Sequence, residues 1–319
     1  MSNPLIEVKN LSKYFSTQRG MLHAVEDVNL KINEGQTLGV VGESGCGKTT
    51  LGRLITRLVD ATKGEILLDG KNILNYKGKE KNDIYNNIQM VFQDPYSSLN
   101  PRLSVGNIIE DPLKTMGPKM GKKELNERIL QLMDIVGLPA RYYNTYPHEL
   151  DGGRRQRVGL ARALALEPRF IVCDEPVSAL DVSIQAQILN LLMDLQEEKK
   201  LSYMFITHNL FVVRHISDNI AVMYMGQVVE YATKHELFDN PMHPYTKALL
   251  EVIPQPELGR QNRKRKLLRG EVTSPIEPAP GCRFVPRCPH ASDRCKDAEI
   301  PLNEISPDHY CACTLFTQK

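Results

Sequence analysis

The run Gly42-Glu43-Ser44-Gly45-Cys46-Gly47-Lys48-Thr49-Thr50 fits the pattern G-x-x-x-x-G-K-[ST] and follows the apolar stretch 38–41. Glycines at these places let the backbone wrap closely round an anion, so that successive N–H groups point at phosphate oxygens. A helix starting near Lys48 adds the positive end of its dipole. In such a cradle Lys48 contacts the β- and γ-phosphates and the Thr49 hydroxyl ligates magnesium, which makes ATP with Mg2+ the expected cargo. A tight turn of no chemical consequence is the bland reading of a lone glycine-rich loop, but here a strand precedes it and a helix follows.

A second stretch, Phe170-Ile171-Val172-Cys173-Asp174-Glu175, is an apolar strand ending in two carboxylates. Open α/β sheets place their chemistry at such strand ends. Asp174 is expected to hold magnesium through water, and Glu175 to orient or deprotonate the attacking water. Alone, an Asp-Glu pair at a strand end is often an ordinary loop start. Beside the cradle it reads as the other half of a hydrolytic site.

These residues need elements to carry them. Short apolar runs at 6–8, 37–41, 65–68, 88–92, 170–173 and 203–206 predict strands, and 221–224 with 228–231 flank Gly226 as a hairpin. Residues 183–198 predict a helix whose stripe is Ile184, Ile188, Leu191, Leu192 and Leu195. Strands alternating with helices predict an α/β core. Between about 94 and 155 strand signals fade, and Leu125, Ile129, Leu132, Met133 and Val136 recur at helical spacing, which predicts an inserted helical subdomain. Residues 1–250 are thus expected to form one domain. Residues 251–319 are expected to form a Pro-rich linker, with the basic run 263–266, and a Cys-rich C-terminal extension.

A net charge of +2 over 319 residues gives no field that would call for nucleic acid. The start MSNPLIEVKN lacks the zones of a secretory signal. No apolar run approaches the roughly 20 residues that span a bilayer, so other chains must supply any pore. Of seven cysteines, Cys282, Cys288, Cys295, Cys311 and Cys313 crowd the end, while Cys46 and Cys173 stand alone and read as packing residues. Without a secretory signal such a cluster argues for metal rather than disulfides. The spacing is wider than the tight pairs of zinc ribbons, and unligated thiols remain an alternative.

The segment between the two motifs, His148-Glu149-Leu150-Asp151-Gly152-Gly153-Arg154-Arg155-Gln156-Arg157, resembles the L-S-G-G-Q signature of ABC-type transport ATPases. Gln93 matches that family's Q-loop, Ser178-Ala179-Leu180-Asp181 its D-loop, His208 its switch histidine, and Phe15 the aromatic that stacks on adenine. The resemblance implies a P-loop ATPase core with a RecA-like α/β sheet, an antiparallel β subdomain and a helical subdomain. It implies a head-to-tail pair of ATPase chains with each ATP between one cradle and the partner's Asp151-Gly152-Gly153. In that scheme Gln93 joins Thr49 and Asp174 around magnesium and reports to the pore, and His208 contacts the γ-phosphate. The usual signature serine is Asp151 here and the usual glutamine is Arg154. An ionised aspartate faces a triphosphate poorly unless it turns away to Arg154 or Arg155, so an asymmetric pair of sites is expected.

Narrower stretches, 92–102, 243–250, Gly281-Cys282-Arg283-Phe284 and Pro286-Arg287-Cys288-Pro289, look like the dipeptide and oligopeptide permease ATPases, and 182–192 is closer to their F type than to their D type. The resemblance implies a D-type ATPase partner, two transmembrane permease subunits, an extracytoplasmic substrate-binding protein and a place at the cytoplasmic membrane face. Nickel importers share this architecture. For the cysteines it implies a 4Fe–4S cluster on Cys282, Cys288, Cys295 and Cys313, with Cys311 spare.

Overall fold

Residues 37–41, 170–174 and 202–207 are buried on both faces of a sheet, which is why they read as unbroken apolar runs rather than alternating ones. The computed structural model describes residues 4–251, 274–296 and 299–316; the basic run 263–266 lies outside them. Its central sheet holds β6 (Ile88–Val91), β7 (Phe170–Asp174), β8 (Ser202–Thr207), β3 (Thr37–Val41) and β9 (Asn219–Tyr224) in parallel. Then β10 (Gln227–Thr233), β12 (His309–Cys311) and β11 (Asn303–Ser306) continue it antiparallel. A second, antiparallel sheet runs β2 (Gly20–Ile32), β1 (Ile6–Thr17), β4 (Lys63–Leu68) and β5 (Lys71–Asn72). It packs over α1 (Lys48–Ile55) and α2 (Lys81–Asn87) through Val8, Val25, Leu51, Ile66 and Ile84.

The predicted hairpin at Gly226 is present: Tyr224 pairs with Gln227, and Met225 and Gly226 turn with φ of 48° and 84°. The predicted strand 6–8 is the start of the much longer β1, and β2 was not anticipated at all. Its charged residues, Glu26, Asp27 and Lys31, interrupt the apolar pattern, and Asp27 at φ 46° marks one of several irregularities in its pairing with β1.

Helices α3 (Pro95–Ser98), α4 (Val105–Thr115) and α5 (Lys122–Ile135) lie within the predicted insertion, and α6 (Gly152–Leu164) starts at its end and runs beyond it. Ile109, Ile129, Met133 and Val158 are fully buried among them, and α7 (Val182–Lys199) joins this core through Ile188 and Leu192. No helix among the described residues is long and apolar enough to cross a membrane.

Residues 274–296 and 299–316 lie against this body. The β11–β12 hairpin extends the central sheet, with Glu230 opposite Cys311. Phe284 packs edge-on to Tyr224, with ring centroids 5.2 Å apart, and meets Tyr245 of α10 (Pro244–Glu251). Between α10 and β10 sits α9 (Lys234–Asp239), and α8 (Leu210–Ile216) covers β3 through Val213. The carboxylate of Glu230 is wholly buried; it accepts from the backbone N–H groups of Met242 (2.7 Å) and His243 (2.9 Å), and lies 2.8 Å from His309 Nε2.

His243 itself is 1% exposed, and its Nδ1 accepts the backbone N–H of Tyr245. Burial depresses its pKa from 6.5 to about 4, against the opposing pull of Glu230. The unfolded imidazole takes a proton below about 6.5 while the folded one resists until about 4, so this group's contribution is full above that window and is lost as pH falls through it. The loss from this residue should approach about 3 kcal/mol. Urea unfolding of the parent and His243→Gln at pH 7 and pH 4.5 checks this: the variant should lose less stability on acidification, and an equal loss refutes the assignment.

Candidate functional site

Strand β3 ends at Val41 and α1 begins at Lys48, so the loop between them sits at the C-terminal edge of the parallel sheet. Gly47 caps α1 with φ 102°, and a Cβ there would stand 2.2 Å from the carbonyl oxygen of Ala24 on β2. Glycine is therefore required twice over at this position, by backbone conformation and by space. Lys48 is 5% exposed; its Nζ donates to the carbonyl oxygens of Gly42 (2.8 Å) and Glu43 (3.0 Å) and lies 3.8 Å from Cys46 Sγ. Thr49 Oγ1 donates to Asp174 Oδ1 at 2.9 Å.

Strand β7 delivers Asp174 into this edge, 2% exposed. Burial pushes its carboxyl up; the Thr49 hydrogen bond pulls back, Glu175 adds to the rise, and Arg53 and Lys48 oppose it. The next residue, Glu175, has φ 45°, a left-handed conformation that carboxylate side chains adopt at a cost. Its backbone N–H donates to Ile206 O, and on its Oε2 converge Gln93 Nε2 at 3.1 Å and His208 Nδ1 at 3.2 Å. Lys48, Thr49, Asp174, Glu175, Gln93 and His208, from distant parts of the sequence, thus form one constellation. Ser44, Gly45 and Thr50 complete the loop and the first turn of α1, with Ser44 and Gly45 exposed. Phe15 lies on the other sheet, 36% exposed, with Lys13 Nζ 4.8 Å over its ring.

The structure does not join Asp151, Gly152 and Gly153 to this constellation. They start α6 and pack on the segment after β7: a Cβ on Gly152 would stand 3.1 Å from Leu180, and one on Gly153 2.7 Å from Ile184. Asp151 is the N-cap of α6, its Oδ1 accepting the Arg154 N–H at 2.8 Å. Its Oδ2 pairs with the Arg154 guanidinium at 2.7 Å. Of the two arginines expected to draw Asp151 aside, Arg154 does so; Arg155 instead donates to Pro147 O at 2.7 Å.

Cys282, Cys288, Cys295 and Cys313 all line one small hollow, together with His243, Phe284 and His290. Cys311 does not; it is buried in β12 opposite Glu230. Burial and then the neighbouring thiols raise Cys282 to about 11. At Cys295 burial also pushes up, but hydrogen bonds with Ser292 and Thr314 outweigh it and the thiol is lowered. The thiols share a cavity without standing at metal-binding separations: among the described residues no group of His, Cys, Asp or Glu is preformed as a metal site.

Two contacts to the cradle were not foreseen. Glu43 N–H donates to Tyr245 Oη at 2.9 Å, and the Glu43 carboxylate takes both Arg287 Nη atoms, at 2.7 and 3.0 Å. Both partners lie inside stretches that single out peptide-permease ATPases, the one signal that points to them.

The cradle, paired strand-end carboxylates and inserted helical layer define an ABC ATPase cassette. Residues 25–178 match the family described as ABC transporter, and residues 229–295 match that described as Oligopeptide/dipeptide transporter, C-terminal region. A dimeric ATP-binding cassette solved in a post-hydrolysis state with ADP and Pi superposes with a TM-score of 0.67 at 31% identity, covering 72% of this chain and 98% of that one. The chain belongs to the ATP-binding subunits of the oligopeptide/dipeptide ABC transporter family. It is 47% identical over 322 residues to the oligopeptide transport ATP-binding protein AppF of Bacillus subtilis, covering 98% of both chains. It is 49% identical over 320 residues to OppF of Salmonella typhimurium, covering 97% of this chain and 95% of the relative.

Because Asp151 caps α6, Asp151→Ala should cost about 1 kcal/mol of stability, whereas Asp151→Ser, which keeps a capping oxygen, should cost less than about 0.5 kcal/mol. Urea unfolding of the two variants side by side is the measurement; equal losses would mean that the cap contributes nothing.

Proposed function

We propose that this chain hydrolyses ATP to drive uptake of oligopeptides or dipeptides through a membrane pore made by other subunits. The observation that carries the reading is the convergence of Gln93 and His208 on Glu175, one residue beyond the Asp174–Thr49 pair and beside the Lys48 cradle. The matched C-terminal region and the names of the relatives support peptides as cargo.

In this mechanism the loop 42–48 binds the triphosphate, and Lys48 moves from carbonyl partners to the β- and γ-phosphates. Thr49, Asp174 and Gln93 would hold magnesium, which neutralises charge on the phosphates. Glu175 takes the proton of the attacking water, while His208 holds the γ-phosphate end of the site. Gly152 and Gly153 offer the α6 N-terminus to a nucleotide bound by a partner ATPase chain. An unlike, D-type partner suits the Asp151–Arg154 pairing, since a capped aspartate makes this chain's contribution to the partner's nucleotide weaker than a serine would. Two permease subunits, an extracytoplasmic binding protein and a peripheral position at the cytoplasmic face complete the assembly.

The four thiols around one hollow fit a 4Fe–4S cluster in donor type and number, each sulfur ligating as thiolate. The group would supply a cross-link for a loop-rich segment with a small core of its own. Residues 251–319 then act as a linker and a Cys-rich extension of the ATPase domain.

Glu175→Gln should keep ATP bound while turnover falls about 10²- to 10⁴-fold; phosphate release by the assembled transporter measures this, and unchanged turnover removes Glu175 from the role. For the thiols, anaerobically purified protein should be brown and bind iron. Cys313→Ser should lose the iron and Cys311→Ser should keep it; colourless, iron-free parent protein rejects the cluster.

A further inference from the structure

Arg287 belongs to the turn Val285–Arg287, far along the chain from the phosphate loop, yet its side chain is 6% exposed because it is sunk against Glu43. The contact is a two-pronged one, Nη1 to Oε2 at 2.7 Å and Nη2 to Oε1 at 3.0 Å, the geometry in which a guanidinium fixes the orientation of a carboxylate as well as its charge. Glu43 is held elsewhere too. Its N–H donates to Tyr245 Oη at 2.9 Å, and its carbonyl oxygen accepts from Lys48 Nζ at 3.0 Å and from Cys46 N–H at 3.3 Å. Every polar group of this first variable residue of the loop is therefore engaged, and the side-chain and N–H partners both come from beyond residue 243.

The charge arithmetic gives the clamp a purpose. A carboxylate in a phosphate-binding loop repels the polyanion that the loop must accept. Glu43 is only a quarter exposed, so water screens it weakly. Arg287 cancels that charge and at the same time fixes the turn that presents Gly42 O and Glu43 O to Lys48. The arginine is in turn the chain neighbour of Cys288, which lines the thiol hollow. Arg283, neighbour of Cys282, makes a parallel attachment, with Nη2 3.0 Å from Glu26 Oε2.

We propose that Arg287 is a positioning residue for ATP binding: it neutralises and orients Glu43, and so holds the phosphate loop in the form that receives a triphosphate. The proposal rests on the loop 42–50 being the ATP site, which Lys48→Ala tests separately by losing ATP altogether.

The test is the Kd of a fluorescent ATP analogue for the full chain, with thermal unfolding as a check on folding. Arg287→Met strands the Glu43 charge and should weaken binding about tenfold; Arg287→Lys, which keeps the charge without the fork, should weaken it about threefold. The double variant Glu43→Gln/Arg287→Met removes the stranded charge and should recover to within about threefold of the parent. In the assembled transporter the Arg287→Met defect should appear in KM for ATP, with kcat nearly unchanged. Should Arg287→Met fail to fold, Arg287→Lys, which keeps a cation in the C-terminal segment but not the two-pronged contact, carries the test, and a parental Kd for it overturns the proposal. So does a folded Arg287→Met with parental Kd, or a double variant as weak as the single, since either would leave Arg287 a packing role alone.

Discussion

A buried cation without a carboxylate partner is the constraint around which this molecule is organised. Lys48 is almost wholly enclosed, and its ammonium rests on backbone carbonyls, which satisfy its hydrogen bonds and leave its charge. Among the described residues it forms no ion pair. Enclosing a charge in that way is costly unless an anion arrives to complete it. The glycines, the α1 N-terminus and the tight approach of β2 at Gly47 all shape the space that such an anion fills.

The parallel sheet converts that local demand into a catalytic geometry. In register, Val41 of β3 stands beside Thr207 of β8, and Ile206 of β8 beside Asp174 of β7. The strands therefore end at one level, and the residues just past their ends, the phosphate loop, His208 and Glu175, are neighbours by construction. The left-handed twist at Glu175 then turns its carboxylate toward Gln93 and His208 instead of continuing the strand. Rigid strands carry the positions, and one strained residue aims the reacting group.

How much of this was legible differs by interaction range. The cradle and both acids could be read because each sits at the end of an apolar run, a signal contained in a few adjacent residues, whereas Gln93 and His208 came from the family resemblance. The choice of Cys313 over Cys311 came from the resemblance; in the structure Cys313 lines the hollow, whereas Cys311 is buried at the end of β12 opposite Glu230. β2 was missed because Glu26 looks like an interruption in a one-dimensional pattern. In three dimensions Tyr14, His23 and Arg283 surround that carboxylate, so it is a tolerated polar site within a strand. The Arg287–Glu43 pair was illegible for a plainer reason: two charges 244 residues apart carry no mark of each other in sequence.

The attachment of residues 274–296 and 299–316 shows why such long-range polar contacts recur here. A segment this short encloses few apolar side chains of its own, so its fold must borrow from the surface it covers. Phe284 takes an aromatic seat between Tyr224 and Tyr245, and β12 takes the hydrogen-bonding edge of β10. Apolar burial alone would let such a segment settle in several ways, because it is indifferent to direction. Glu230 removes that freedom. Buried with its oxygens engaged by Met242, His243 and His309, it would be left partly unsatisfied by any shift of β12 along the edge. The same logic holds for Glu26 with Arg283 and Glu43 with Arg287, where carboxylates of the ATPase body meet side chains of the C-terminal segment. Three such pairs fix a register that the small apolar contact would leave loose, and one of them ends on the phosphate loop itself.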